Sequence, residues 1–224
     1  LQDGKWQPYG ATNTVVLKRI RNPIAMFVGD HKSHELVFPD KMGSNRFQCG
    51  YDMCTGDWVK PVGRGTTTDV LFTLVTEANP VKPDGSKFRQ TITLEFTNGL
   101  DGALLVKNDM TSEFHSAYRA DPAAPYQHKK VFCFDRYNGT PIVDGNLKAD
   151  EHLVIRVRTR IDGNGHVVQA NYGKIYGEMR INGTGLLVLS TYFNPTPNDT
   201  NLEFDPDKNL SDDGDWRHKT HFAP

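Results

Sequence analysis

Short segments of alternating hydrophobic and polar residues recur along this chain of 224 residues. In the clearest, Phe88–Thr97, every second residue except Gln90 is apolar on one face, and the residues between are polar. A period of two predicts a strand with one buried face and one solvated face. The segments predicted as strands are Thr14–Ile20, Ile24–Val28, Glu35–Phe38, Asp69–Glu77, Phe88–Thr97, Ala103–Lys107, Val131–Phe134, Leu153–Ile161, Val167–Ile181 and Leu186–Phe193.

Turn-forming residues separate these segments, for example Asp162-Gly163-Asn164-Gly165, and no long helical pattern interrupts them. This arrangement predicts an all-β fold, an antiparallel two-sheet β-sandwich that is jelly-roll-like and spans residues 1–197. An acidic C-terminal segment, residues 198–224, follows the predicted domain. The alternative is two immunoglobulin-like sandwich halves divided at Arg119–Gln127, because the number of strands does not separate the two architectures.

Charge and composition restrict the function classes. The formal net charge is −1, which argues against nucleic acid as a partner. No stretch approaches the roughly 20 apolar residues that span a bilayer, so no membrane insertion is expected. Asp outnumbers Glu by 20 to 7, and sequons for N-glycosylation begin at Asn138, Asn182, Asn198 and Asn209. This composition favours an exported protein, either secreted, periplasmic or on the cell surface, whose leader is absent from this chain.

One predicted strand concentrates candidate binding residues. With a period of two, one face of Val167–Ile181 carries Tyr172, Lys174, Tyr176, Glu178 and Arg180. A neighbouring strand adds Arg156 and Arg158, if the loop between Asp162 and His166 has three residues. That register places Arg156 opposite Tyr172 and Arg158 opposite Ala170, whereas a shift of one residue moves both arginines to the other face.

A sheet face of this kind suits a poly- or oligosaccharide. Aromatic rings pack on the C–H faces of sugars, and arginine or lysine binds hydroxyl groups or uronate carboxylates. The sequence therefore predicts a non-catalytic glycan-binding protein. Three alternatives stay open: an ordinary solvated sheet face, a structural module that docks a protein partner, and a jelly-roll polysaccharide hydrolase or lyase. In the enzyme, Glu178 is the candidate acid or base.

The C-terminal segment contains a candidate calcium site. Oxygen-bearing side chains occupy alternate positions at Asp205, Asp207, Asn209, Ser211 and Asp213. The spacing resembles the first part of an EF-hand loop, but Leu210 stands at the glycine position and Trp216 at the position of the bidentate glutamate. The expectation is therefore either no cofactor or a looser Ca²⁺ site, and a solvated acidic tail is the alternative. A disulfide between Cys49 and Cys54 is also left open.

Overall fold

All regular secondary structure in the described part of the chain is β-strand. The computed structural model describes residues 22–35, 46–78, 88–107, 119–137, 140–142, 151–181 and 186–211. Within these ranges, twelve strands numbered in chain order form two six-stranded sheets. In spatial order, the first sheet contains β12 (Phe204–Asn209), β1 (Ile24–Glu35), β11 (Leu186–Asn194), β10 (Val167–Ile181), β9 (Glu151–Ile161) and β6 (Gly102–Lys107). The second contains β3 (Asp57–Trp58), β2 (Arg46–Asp52), β4 (Val70–Ala78), β5 (Phe88–Glu95), β7 (Lys129–Tyr137) and β8 (Thr140–Ile142).

The predicted two-sheet β-sandwich is confirmed. Strand β1 lies next to β11, so the first and last long strands are neighbours, as in a jelly roll, whereas β9, β10 and β11 follow one another as a meander. Every described strand pair is antiparallel except β1 and β12, which are parallel. A search of the described residues finds no helix that is long and apolar enough to cross a membrane.

The alternative of two immunoglobulin-like halves is wrong, because each sheet takes strands from both sides of the predicted division at residues 119–127. Strand β6 precedes this segment and pairs with β9, which follows it; β5 and β7 are related in the same way. Strand β12 lies in the predicted C-terminal segment and extends the first sheet. The predicted strand Thr14–Ile20 lies outside the described residues.

The main hydrophobic core lies between the two sheets. Alternation in β5 places Ile92 and Leu94 in this core at 2% and 0% exposure, as their pattern predicts. The second sheet also contributes an aromatic cluster in which the ring of Trp58 lies 5.2 to 5.5 Å from the rings of Phe47, Tyr51 and Phe72. Edge-to-face contacts of this kind stabilise a core beyond the area that they bury.

A second buried cluster lies on the opposite face of the first sheet. Its members come from five strands of that sheet and from two connecting segments: Met26, Val28, Ala120, Val154, Ala170, Tyr172, Tyr192, Leu202 and Phe204. Backbone hydrogen bonds hold the segment around residues 119–127 in place, from Ala120 N to Thr200 O and between Ala103 and Gln127. The first sheet is therefore buried on both of its faces.

The three cysteines are free thiols. Cys49 Sγ donates to the backbone carbonyl of Val59 at 3.6 Å, and burial raises its pKa. Burial also raises the pKa of Cys54. The Cys49–Cys54 disulfide that the spacing left open is therefore absent from this fold.

Candidate functional site

The register of the β9–β10 hairpin places two of the predicted residues side by side. Asp162 N donates to His166 O at 2.9 Å, which closes a three-residue loop. Tyr172 then lies directly opposite Arg156, as the prediction for that loop length requires. The hairpin thus brings Arg156 to the strand face that carries Tyr172, Lys174 and Tyr176.

That face is buried rather than open to solvent. Tyr172 is 2% exposed and Lys174 is 3% exposed, while Tyr176 is half-buried. The Tyr126 ring lies 6.5 Å from the ring of Tyr172 and covers it from outside the sheet. The expectation of a flat, exposed binding face is therefore corrected: in this fold the face is the second hydrophobic cluster of the first sheet.

Arg156 holds the covering segment in place. Its Nε and Nη2 atoms donate to the carbonyl of Leu100 at 2.9 and 2.6 Å, and Nη1 donates to the carbonyl of Pro122 at 2.9 Å. Its guanidinium carbon also lies 4.4 Å from the centre of the Tyr126 ring. All three guanidinium nitrogens bind the protein itself, so Arg156 orders the loops above Tyr172.

Lys174 has a different environment from Arg156. Its Nζ atom lies 4.5 Å from the centre of the Tyr192 ring and 5.4 Å from that of Tyr176. Across the strands its neighbours are Tyr192 and Val154. No carboxylate in the described part of the chain forms an ion pair with Nζ, and burial lowers the Lys174 pKa from 10.5 to about 8. An amine in this state is typical of functional sites.

Two neighbours of Lys174 were not among the predicted site residues. Tyr192 faces it from β11, and His152 lies opposite Tyr176 on β9, with ring centres 6.0 Å apart. Burial raises the pKa of Tyr176, so its phenol stays protonated. We call Lys174, Tyr176, Tyr192 and His152 the Lys174 cluster. The alternation of residues within β11 and β9 gives the sheet face of Tyr192 and His152. Only the order of the strands in the sheet shows that both strands lie beside β10.

Arg158 does not join this cluster, although the loop length alone predicts regular pairing of Arg158 with Ala170. The β9–β10 register shifts between Gln169 and Asn171, and Arg158 has a φ of 58°. This bulge turns the side chain into the space between the two sheets, where the guanidinium carbon lies 5.0 Å from the ring of Phe193 on β11. The carboxylate of Asp101 accepts the backbone N–H groups of Arg158 and Thr159, both at 3.0 Å, and fixes the bulge.

Arg158 instead links the two sheets through an ion pair. Its Nε and Nη2 atoms donate to the two carboxylate oxygens of Asp69 at 2.7 and 2.9 Å. Burial raises the pKa of Asp69 against the opposing effect of Arg158, and the Asp69 carboxylate raises the pKa of the Arg158 guanidinium. Bidentate pairs of this kind fix geometry as well as charge, so Arg158 has a structural role here.

Asp52 organises the turn beside this pair. Burial opposes its ionisation, but backbone N–H groups of Thr66, Thr67, Cys54 and Thr55 donate to its carboxylate and lower its pKa. Arg158 Nη2 also lies 3.5 Å from Asp52 Oδ1. The two aspartates are therefore engaged by donors of the protein itself.

The two remaining residues of the predicted face are Glu178 and Arg180. Their backbone belongs to β10, in a stretch where the register with β11 shifts between Tyr176 and Arg180. Their side chains lie outside the described residues. The assignment of Glu178 as a catalytic acid or base stays a prediction.

The candidate calcium residues lie on or just after β12. Asp205 Oδ2 forms an ion pair with Lys208 Nζ at 2.8 Å, while Asp207 is exposed. The Asn209 amide and the Ser211 hydroxyl accept from Val28 N at 3.2 and 2.9 Å, so both side chains attach β12 to β1. Asp213 lies outside the described residues. Among the described His, Cys, Asp and Glu side chains, no group of three or more is arranged to hold a metal ion.

The chain was compared with known proteins at three levels. No protein-family model, curated protein or solved structure matches it.

Proposed function

We propose that this protein binds carboxylated glycans, without catalysis, at the Lys174 cluster, and that it does so as an exported protein. The observation that carries the proposal is the buried Lys174 ammonium, 3% exposed, which contacts aromatic rings and forms no ion pair with a described carboxylate. The Asp-rich and Glu-poor composition supports the exported setting.

The electrostatics of Lys174 favour an anionic ligand. Burying an ammonium group is costly unless an anion compensates it, and the two tyrosine rings supply only part of that compensation. A ligand carboxylate beside Nζ completes the pair and is itself attracted most strongly where water is excluded. Burial lowers the Lys174 pKa, and a carboxylate beside Nζ would raise it again.

The neighbours of Lys174 favour a sugar as the carrier of that carboxylate. Tyrosine rings offer flat apolar surface to the C–H faces of a pyranose, and their hydroxyl groups hydrogen-bond to ring substituents. A ligand would approach Lys174 from the side of the half-buried Tyr176, because its other neighbours, Tyr172 and Tyr192, are almost fully buried. A uronate residue of an oligosaccharide combines both properties.

Binding is proposed in place of glycoside hydrolysis because of the chemistry of the described cluster. A glycoside hydrolase needs two carboxyl groups that flank the scissile bond. The described members of the Lys174 cluster are an amine, two phenols and an imidazole. These groups can hold and orient an acidic sugar but do not form a carboxylate pair.

The test compares two monosaccharide glycosides that differ in one group. Methyl glucuronoside and methyl glucoside are titrated into the protein by calorimetry at neutral pH, and we expect only the uronate to bind. Lys174→Met should weaken its binding by about tenfold or more, the usual contribution of a charge-assisted hydrogen bond. The matched control is Lys107→Met on the edge strand of the same sheet, whose side chain is 67% exposed.

Two outcomes would contradict the proposal. One is equal binding of the two glycosides, and the other is unchanged uronate binding by a Lys174→Met variant that retains the near-ultraviolet circular dichroism of the folded protein. The same titrations in calcium and in EDTA test the calcium prediction separately. Loss of binding in EDTA would support a Ca²⁺ site, and unchanged binding would remove calcium from the mechanism.

A further inference from the structure

We propose that Lys174 also captures carbonyl ligands covalently, by forming a reversible imine with an aldehyde group. This inference rests on the proposed function, since it uses the same cluster and extends its ligand class to acidic molecules with a free carbonyl group. A sugar acid with a free reducing end and a small oxo acid such as glyoxylate both belong to this class.

The contacts of the lysine side chains separate Lys174 from the other lysines for which the structure shows a partner. Lys129 Nζ lies 2.6 Å from Glu95, Lys208 Nζ lies 2.8 Å from Asp205, and Lys107 Nζ lies 3.8 Å from Glu151. Each of these three amines therefore lies beside a carboxylate partner. Lys174 Nζ instead faces the rings of Tyr192 and Tyr176, which attract its charge more weakly than a carboxylate does.

The protonation state of Lys174 fits this chemistry. With a pKa of about 8, roughly a tenth of the Lys174 side chains carry a neutral amine at pH 7. For a lysine with the ordinary pKa of 10.5, the neutral fraction at pH 7 is below about one thousandth. Lysines desolvated in apolar pockets act as nucleophiles toward carbonyl groups for this reason.

The proposed step is balanced within the site and the ligand. The lone pair of neutral Nζ attacks the aldehyde carbon, a C–N bond forms, and the carbonyl oxygen takes a proton to give a carbinolamine. Loss of that oxygen as water, with the nitrogen proton, leaves a C=N double bond. His152 is the diagonal neighbour of Lys174 across β9 and β10, and Tyr176 keeps its phenolic proton, so both groups can exchange protons with the departing water.

The ligand carboxylate and the covalent bond act together. A protonated imine keeps the positive charge at the position of Nζ, so it continues to attract the carboxylate of the same ligand. The tyrosine rings around Lys174 exclude water, which slows hydrolysis of the imine. Capture is therefore expected to favour aldehydes that also carry a carboxylate.

The experiment traps the imine by reduction. The wild-type protein is incubated at neutral pH with glyoxylate and sodium cyanoborohydride, which reduces an imine to a stable secondary amine. Peptide mapping by mass spectrometry then measures labelling at each lysine, where the added mass is that of glyoxylic acid less one oxygen atom. We expect labelling at Lys174 to exceed that at Lys107 by about tenfold or more, because burial lowers the pKa of Lys174 to about 8.

The result that overturns the inference is equal or weaker labelling of Lys174 than of Lys107 in the folded wild-type protein. This readout needs no substituted variant to fold. Methyl glucuronoside has no aldehyde, so its binding tests the proposed function alone. If it binds and glyoxylate is not trapped, the imine fails and the binding function stands.

Discussion

Lys174 is a residue whose burial lowers the stability of the fold. Its ammonium lies among the tyrosine rings of the second hydrophobic cluster, where the charged group loses its hydration. The fall of its pKa from 10.5 to about 8 corresponds to about 3 kcal/mol of unfavourable free energy for the charged form at neutral pH. Cation–π attraction to Tyr192 and Tyr176 offsets part of that cost. A buried amine with such a cost and a strongly lowered pKa is a good candidate for a functional role.

We expect Lys174→Met to stabilise the protein at neutral pH by about 2 kcal/mol, because methionine fills the same space without a buried charge. Urea denaturation at pH 7 measures the change in the free energy of unfolding. The control, Lys107→Met, should change that free energy by less than about 0.5 kcal/mol, as exposed substitutions do. A loss of stability in Lys174→Met would show that the ammonium has a compensating partner in the native protein.

At the scale of elements, the bulge in β9 decides where Arg158 acts. An extra residue in the strand turns the arginine from the outer face of the first sheet to the space between the sheets. There it pairs with Asp69, whose side chain is 0% exposed. Asp101 holds the backbone of the bulge by two hydrogen bonds. The connection between the two sheets therefore depends on a local irregularity of one strand.

We expect Arg158→Met to lower the free energy of unfolding by about 3 kcal/mol at pH 7, because it leaves the Asp69 carboxylate buried and uncompensated. The loss should be smaller near pH 4, where Asp69 can take up a proton and become neutral. Arg158→Met combined with Asp69→Asn should recover part of the loss, since no charge is then left unpaired. Denaturation of wild type, Arg158→Met, Asp69→Asn and the double variant forms a double-mutant cycle.

The matched control for this pair is Arg64→Met. Arg64 also contacts an aspartate, Asp57 at 3.4 Å, but its side chain is 67% exposed. An exposed ion pair contributes about 1 kcal/mol at most, so the control should be close to wild type. Equal losses in the two arginine variants would mean that the Arg158–Asp69 pair contributes no more than a surface pair.

Some of these elements could be predicted from the sequence, and the reasons are physical. The loop between Asp162 and His166 is rich in glycine and short, and Tyr172 pairs with Arg156 as the loop length predicts because the two register shifts between them cancel. The position of Arg158 could not be predicted, because a bulge is one residue of irregularity that no pattern of period two reveals. Its cause, the carboxylate of Asp101, lies 57 residues away in the chain.

At the scale of the whole molecule, the burial of both faces of the first sheet explains the error about the binding face. The polar residues of β10 alternate with apolar ones, which normally indicates a solvated face. The neighbouring strands contained the opposing signal: Leu153-Val154-Ile155 in β9 is continuously apolar and fully buried. Such a run is typical of a strand covered on both sides. The pattern of β10 alone therefore predicted the wrong exposure for this sheet face, whereas the apolar run in β9 indicated a face that is covered.

The protonation of buried groups makes the stability of the whole molecule depend on pH in a defined window. Lys174 binds its proton less tightly in the folded state, with a pKa of about 8, than in the unfolded state, where the ordinary value of 10.5 applies. Between these two values the unfolded state holds more protons, so this group makes stability rise with pH. The cost of the buried charge is fully present below pH 8 and is lost as the pH approaches 10.5.

The measurement is the difference in the free energy of unfolding between Lys174→Met and wild type, followed from pH 7 to pH 10. We expect the advantage of the variant to shrink as the pH rises above 8, because the wild-type amine becomes neutral in the folded state. Burial raises the pKa of Tyr172 and Tyr176, which lowers stability above pH 10. Both proteins contain these tyrosines, so their effect largely cancels when the two free energies of unfolding are subtracted. A difference that stays constant across this range would place the folded-state pKa of Lys174 near its ordinary value. Lys174 would then lack the lowered pKa that favours both carboxylate binding and imine formation.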